Sequence, residues 1–289
     1  MKIDMHIHSD NSDGSESPKQ IIELAKNIGL EIISITDHNT HKGSLEAIEL
    51  HPKGIEIIPG IEISAKDKKL PKNARLHILG YNFNFNNQNL QKFVEKEHQN
   101  ARETLLIYID LLKKHFNIKF PTEEIEKILN RKGDINRTDI AKLLIKYKYC
   151  NTIDEAFNIY LNPIFNLRKK PRKPNEEETI SLIKDAGGIV SLAHPTSLKL
   201  KYQELKEYIL YLKLLGLDSI EIEHIHIPKE LKPLLYDLCK KENLAYSGGT
   251  DYHGEVKPNV KLGIGGNDKK NHPINIDELS ILKLIKKAN

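Results

Sequence analysis

Short apolar strands alternating with amphipathic helices, several ending in a histidine or a carboxylate, constrain this chain more than any other feature. Residues 2–8 open the pattern: Ile3, Met5 and Ile7 share one face of a strand, and Asp4, His6 and His8 share the other. Ser17, Pro18 and Gln20 read as an N-cap, a first-turn proline and a capping-box partner for a helix that stops at Gly29. Strands are expected at 31–36, within 55–64 around a Pro59-Gly60 interruption, and at 75–81, with a short helix at 44–50. Later strands are expected at 189–193, 219–223 and 244–247, with helices between them and a terminal helix at 276–287. This alternation predicts a parallel α/β architecture, and about six or seven units favour a barrel over an open sheet.

Between residues 87 and 175 the periodicity turns helical, with a long amphipathic stretch at 90–116 and helices starting near Pro121, Arg137 and Ile153. The expected organisation is a catalytic barrel from residues 1–86 and 176–289, with 87–175 a helical insertion over its mouth.

Composition narrows the class. A chain of 289 residues, 39% apolar and 29% charged, can bury a full core and is ordinary for a globular protein. No apolar run approaches the roughly 20 residues that a membrane-spanning helix requires, so no membrane partner is expected. Residues 2–8 begin without a charged region and apolar core of the signal-peptide kind, which points to the cytoplasm. Two cysteines, Cys150 and Cys239, make neither a disulfide framework nor a paired metal motif. The net charge of +4 permits an anionic substrate, and the basic run at 168–173 reads as a solvated linker or a phosphate contact.

The chemistry lies at the strand ends. In parallel α/β barrels reactive side chains come from the C-terminal ends of strands and the loops that follow. His6 and His8 end the first strand and Asp13 follows; His38 ends the second, Glu62 the third, and His77 lies in the fourth. His194 ends the strand after the insertion, and Asp251 and His253 follow the last. Residues i and i+2 of a strand point the same way, so His6 and His8 can face one ion. Nine such groups are too many for one ion, and six histidines with three carboxylates suit Mn²⁺, Zn²⁺ or Fe²⁺. Burying this many ionisable groups together is costly without cations to balance them.

Several runs carry a resemblance: His6-x-His8-(x)4-Asp13-Gly14, Thr36-Asp37-His38, Gly60-x-Glu62-x-Ser64, His77-x-Leu79-Gly80, Ala193-His194-Pro195 and Gly249-Thr250-Asp251-x-His253. In this order they resemble the polymerase-and-histidinol-phosphatase (PHP) family. Within it the chain looks most like the branch that hydrolyses nucleoside 3′,5′-bisphosphates or trims the 5′ ends of short RNA. The resemblance implies a distorted (β/α)7 TIM-like barrel with two or three divalent ions. It places His6, His8, Glu62 and Asp251 on the first ion, Asp13, His38 and His253 on the second, and Glu62, His77 and His194 on the third. Asp37 would orient a ligand from behind, Arg137 would contact phosphate, and His224 would contact substrate or protonate the leaving group. A hydroxide activated by the ions would attack phosphorus and release phosphate.

One departure stands out. Where the branch usually has Gly-Arg-Pro-His, this chain has Asn136-Arg137-Thr138-Asp139. The remaining histidines, His41 and His226 among them, read as surface or structural. Two other readings compete: a histidinol-phosphate type of metabolite phosphatase, and a catalytically silent metal-binding module. Short RNA or DNA ends are the macromolecular partners considered, and a monomer is the default assembly.

Overall fold

The computed structural model describes residues 2–131, 135–167, 171–265, 273–275 and 279–288. Of the basic run at 168–173, positions 168–170 lie outside the described residues, as does the start of the expected terminal helix at 276–278. The strands are β1 (Lys2–Ile7), β2 (Leu30–Ile35), β3 (Glu56–Ile57), β4 (Gly60–Ala65), β5 (Leu76–Tyr81), β6 (Ile189–Leu192), β7 (Ser219–Glu223) and β8 (Ala245–Gly248). The helices are α1 (Pro18–Asn27), α2 (Lys42–Glu49), α3 (Gln88–Phe116), α4 (Thr122–Leu129), α5 (Arg137–Lys146), α6 (Ile153–Glu155), α7 (Glu176–Asp185), α8 (Tyr202–Leu215), α9 (Leu231–Glu242) and α10 (Ile281–Ala288). Among the described residues no helix is long and apolar enough to cross a membrane.

The fold is mixed α/β, and its sheets are not parallel throughout as the strand–helix alternation predicts. Among the described residues the strands form two sheets, β1-β2-β3 and β4-β5-β6-β7-β8, with no ladder closing them into a barrel. The first sheet is parallel, but β4–β5 and β5–β6 pair antiparallel, before β6–β7 and β7–β8 return to parallel. The β4–β5 connection contains no helix, and a parallel crossover needs a dozen or more residues, so only antiparallel pairing is within reach. Isolated parallel bridges, Ile7 to Tyr252 and His38 to Glu62, link the two sheets at the strand ends.

The Pro59-Gly60 interruption is a change of sheet rather than a kink. β3 pairs with β2, while β4 starts the second sheet. A Cβ on Gly60 would lie 2.2 Å from Ser34 Oγ and 2.6 Å from the Ile35 carbonyl, so only glycine lets the chain cross here. α1 carries the expected capping box, with Ser17 accepting from Gln20 N–H and Gln20 answering at the Ser17 N–H.

Two compact units result, one from Met1–Phe93 with Lys173–Asn289 and the other from Val94–Arg172. In the first, the apolar residues of β1 are divided along the strand between two clusters: Ile3 and Met5 pack with Tyr81 and Ile281, while Ile7 packs with Ile21, Ile33 and Ile35. The second unit has its own core around Leu105, Tyr108, Leu112, Ile140 and Leu144. Cys150 and Cys239 are free and buried.

Candidate metal centre

Most strands of the first unit, or the loops that follow them, bring a polar group to one place. His6 lies in β1 and His8 just beyond it, Glu62 is in β4, His77 is in β5, and His194 follows β6. Asp13 and His38 come from loops after β1 and β2, and Asp251 and His253 from the loop after β8. His6, His8 and Glu62 are wholly buried.

Glu62 is the hub. Its Oε2 lies 3.4 Å from His6 Nε2, 3.3 Å from His8 Nε2 and 2.9 Å from His38 Nδ1. Its Oε1 lies 3.0 Å from both His77 Nδ1 and His194 Nε2. Asp251 Oδ1 adds contacts of 3.2 Å to His8 Nε2 and 3.6 Å to His6 Nε2. Asp13 lies 3.2 Å from His253 Nε2, 3.6 Å from His8 Nδ1 and 3.8 Å from His38 Nε2. Among the described residues, candidate ligand atoms gather within 4.8 Å in four groups: His6-His8-Glu62-Asp251, His8-Asp13-His38-His253, His38-Glu62-His77 and His6-Glu221-His224.

The donor set fits divalent cations on three counts. Two donors about 2.0–2.2 Å from one ion lie roughly 3.0–3.5 Å apart, the spacing found around Glu62 and Asp251. His38 Nδ1 and Glu62 Oε2 are buried and make no hydrogen bond among the described residues, although 2.9 Å apart. The buried carboxylates also stay ionised among the imidazoles, which calls for positive charge beside them. Burial would push His8 down, but hydrogen bonds to Asp251 and Glu62 override it and hold His8 at about 9. Burial would raise Glu62, yet His38, His77 and His6 keep it well below the ordinary carboxylate range. Asp251 is likewise held low, with His8 and His6 outweighing its burial. His77 is driven down to about 4 because burial prevails there.

The backbone is unusual where ligand atoms emerge. His194 (φ 24°) and Asp251 (φ 57°) adopt left-handed conformations that side chains rarely take, at about 1–3 kcal/mol each. Hydrogen bonds hold both: Asp251 N–H donates to the His6 carbonyl at 2.9 Å, and His194 N–H to Glu221 Oε2 at 2.7 Å.

The other expected site residues are distributed as follows. Asp37 is buried, and its carboxylate accepts from Ser9 N–H and Oγ, both at 2.7 Å, and from Ser12 Oγ at 2.6 Å. Its hydrogen-bonded link to His8 runs through Ser12, whose Oγ is 3.5 Å from His8 Nδ1. His224 is buried beside His194, with ring centroids 5.7 Å apart, and its Nε2 has no hydrogen-bond partner among the described residues. Arg137 belongs to the helical unit. There it opens α5 with its guanidinium 5.0 Å from the Phe157 ring centroid and 4.8 Å from that of Phe165. Asp139, at the departure from the branch pattern, completes a capping box with Asn136 and takes a two-pronged contact from Arg131.

Three residues escaped the sequence reading. Asp4 accepts four hydrogen bonds behind His6. Lys257 Nζ sits 2.6 Å from Asp251 Oδ2. Glu221 is 2.9 Å from His6 Nδ1, and its signal was a carboxylate between Ile220 and Ile222 in the middle of an apolar strand. Of the surface and structural alternatives for His41 the structure shows the structural one: it is buried and packs against Phe83 and Phe85.

A cluster of imidazoles and carboxylates at the strand ends of an α/β fold defines a metal-dependent hydrolase. The family model of the PHP domain matches residues 4–223, and the chain belongs to that family. A 5′-3′ exoribonuclease of Haemophilus influenzae is 26% identical over 253 residues, covering 87% of this chain and 90% of that protein. A 3′,5′-nucleoside bisphosphate phosphatase of Chromobacterium violaceum is 23% identical, with 87% of each chain covered. Among solved structures, a protein of Bifidobacterium adolescentis described as a metal-dependent phosphoesterase superposes with a TM-score of 0.78 and 25% identity, covering 99% of this chain and 96% of its own. This chain is accordingly a metal-dependent phosphoesterase, and its histidine–carboxylate cluster supports divalent metal binding.

Proposed function

We propose that this phosphoesterase hydrolyses phosphate esters of nucleotides, either nucleoside 3′,5′-bisphosphates or the 5′ ends of short RNA. The observation that carries the reading is Glu62, a buried carboxylate with five imidazoles within 3.4 Å of its two oxygens. The names of the relatives from Haemophilus influenzae and Chromobacterium violaceum support the nucleotide class.

The ligands are assigned as follows. His6, His8, Glu62 and Asp251 would hold one ion, Asp13, His38 and His253 a second, and Glu62, His77 and His194 a third, with Mn²⁺, Zn²⁺ or Fe²⁺ suited to the nitrogen and oxygen donors. Divalent cations supply Lewis acidity, making water a nucleophile near neutral pH and neutralising phosphate charge. The side chains of this chain do the rest. Glu62, with two oxygens, bridges two ligand sets, and Asp37 fixes the Ser9–Ser12 turn behind His8. His224 aims an Nε2–H donor at a phosphate or leaving-group oxygen. Arg137, braced by Phe157 and Phe165 at the start of α5, is the anion-binding group of the helical unit. The finer frame follows the same reading: a distorted (β/α)7 arrangement from 1–86 and 176–289, an insertion at 87–175, and a cytoplasmic monomer.

The test is phosphate release with added Mn²⁺ from nucleoside 3′,5′-bisphosphates, 5′-phosphorylated RNA and histidinol phosphate, for wild type and His8→Ala. Hydrolysis of the nucleotide substrates that requires Mn²⁺ and His8 supports the proposal. Preference for histidinol phosphate, or indifference to metal and substitution, overturns it.

A further inference from the structure

The fourth cluster, His6, Glu221 and His224, has the proximity of a metal triad but not its protonation pattern. His224 Nδ1 accepts the backbone N–H of His226 at 3.1 Å. An imidazole whose Nδ1 accepts a hydrogen bond carries its proton on Nε2, so His224 has no lone pair left for a cation. Both oxygens of Glu221 are also engaged, Oε1 with His6 Nδ1 at 2.9 Å and Oε2 with the His194 N–H at 2.7 Å. This cluster is a support rather than another cation site.

What it supports follows from geometry. A carboxylate bound to His6 Nδ1 keeps the proton there and leaves Nε2 to face Glu62 Oε2, 3.4 Å away, and Asp251. The second oxygen pins the left-handed backbone of His194, whose Nε2 lies 3.0 Å from the other oxygen of Glu62. The two histidines held by Glu221 thus approach opposite oxygens of Glu62. Glu221 is itself fully buried in β7, so its position is set by the sheet rather than by a loop.

We propose that Glu221 is a positioning residue that sets the His6 ring and the His194 backbone together, so that the two ligand sets sharing Glu62 are built as one unit. The proposal rests on the reading of the cluster as a metal centre.

The decisive variant is Glu221→Gln in the full chain. Its amide has one acceptor oxygen, so it can serve His6 or His194 but not both. Mn²⁺ affinity, measured calorimetrically, is expected to fall about 10–100-fold, as for other outer partners of metal-bound histidines. The circular-dichroism spectrum of the metal-free protein should be retained. In wild type, NMR should find a low-field, exchange-protected proton on His6 Nδ1, both metal-free and with Zn²⁺, that moves or vanishes in the variant. An affinity within about twofold of wild type overturns the proposal, as does a His6 Nδ1 without a proton. The second readout needs only wild-type protein, so it decides the matter even if the variant fails to fold. A wild type that bound no Mn²⁺ would overturn the metal-centre reading instead, and the His6 proton would still judge the positioning.

Discussion

Asp4 and Thr250, 246 positions apart in the chain, are joined through both carboxylate oxygens: Oδ1 accepts the Thr250 N–H at 3.0 Å and Oδ2 the Thr250 hydroxyl at 2.6 Å. Asp4 also accepts from His6 N–H at 3.2 Å and Gly263 N–H at 2.8 Å. It therefore ties the strand bearing His6 to the loop bearing Asp251. Burial pushes its carboxyl up to about 6 despite these four donors, so each donor matters. Thr250→Val should lower stability by about 1–3 kcal/mol in urea unfolding and weaken Mn²⁺ binding, while Thr250→Ser should restore both.

Gly249 shows how tightly that loop is seated. A Cβ there would stand 2.3 Å from His6 Cβ and 2.5 Å from His6 N. Because backbone is involved, rotation of a side chain cannot relieve the clash. Gly249→Ala is expected to lose about 1–3 kcal/mol of stability and to reduce Mn²⁺ affinity, checked by thermal unfolding and titration calorimetry.

Removing the hub should be more damaging to activity than removing any outer support. Glu62→Gln keeps size but loses the charge that five imidazoles face. The expected fall in kcat/KM exceeds the roughly 10–100-fold typical of outer partners. An equal drop in Glu62→Gln and Glu221→Gln would show that Glu62 is not central.

His41 provides a pH dependence away from the ligand atoms. Its ring nitrogens are buried without a hydrogen-bond partner among the described residues, and burial holds its pKa below the ordinary histidine value. The unfolded chain therefore takes up a proton near pH 6.5 that the folded chain resists. Stability from this group is present above about pH 6.5 and is lost as pH falls toward the lowered folded value. His41→Phe, which can pack against Phe83 and Phe85, should flatten the acid limb of the stability–pH curve, read from urea midpoints between pH 5 and 8.

Cation binding should appear in stability as well as activity. A ligand that binds only the folded state at 100 times its Kd adds about 2.7 kcal/mol. Mn²⁺ should raise the Tm of wild type and a chelator should reverse it, while His8→Ala shows little response. An unchanged Tm in wild type would count against the metal centre.

Parts of this architecture were readable from local pattern. The i, i+2 spacing of His6 and His8 predicted that both point the same way, and both, His6 in β1 and His8 just beyond it, are buried facing Glu62. The Ser17-Pro18-Gln20 signature produced the capping box of α1. Sheet direction was less legible: β4 and β5 have the apolar signature of parallel strands yet run antiparallel, since strand composition reports burial and not the route of the connection. Glu221 was visible only as a charge inside an apolar strand, and the partners that give it meaning lie 215 and 27 positions away.

By itself, the sequence determined the inventory of imidazoles and carboxylates, their places at strand ends, and the elements that carry them. These are local properties, set by side-chain period and capping. Only the tertiary structure decided that Glu62 lies at the centre, that Asp37 bonds serines rather than an imidazole, and that Glu221 serves two histidines. Those facts depend on which strands become neighbours, and long-range pairing places atoms to within an ångström only when the whole core packs around them.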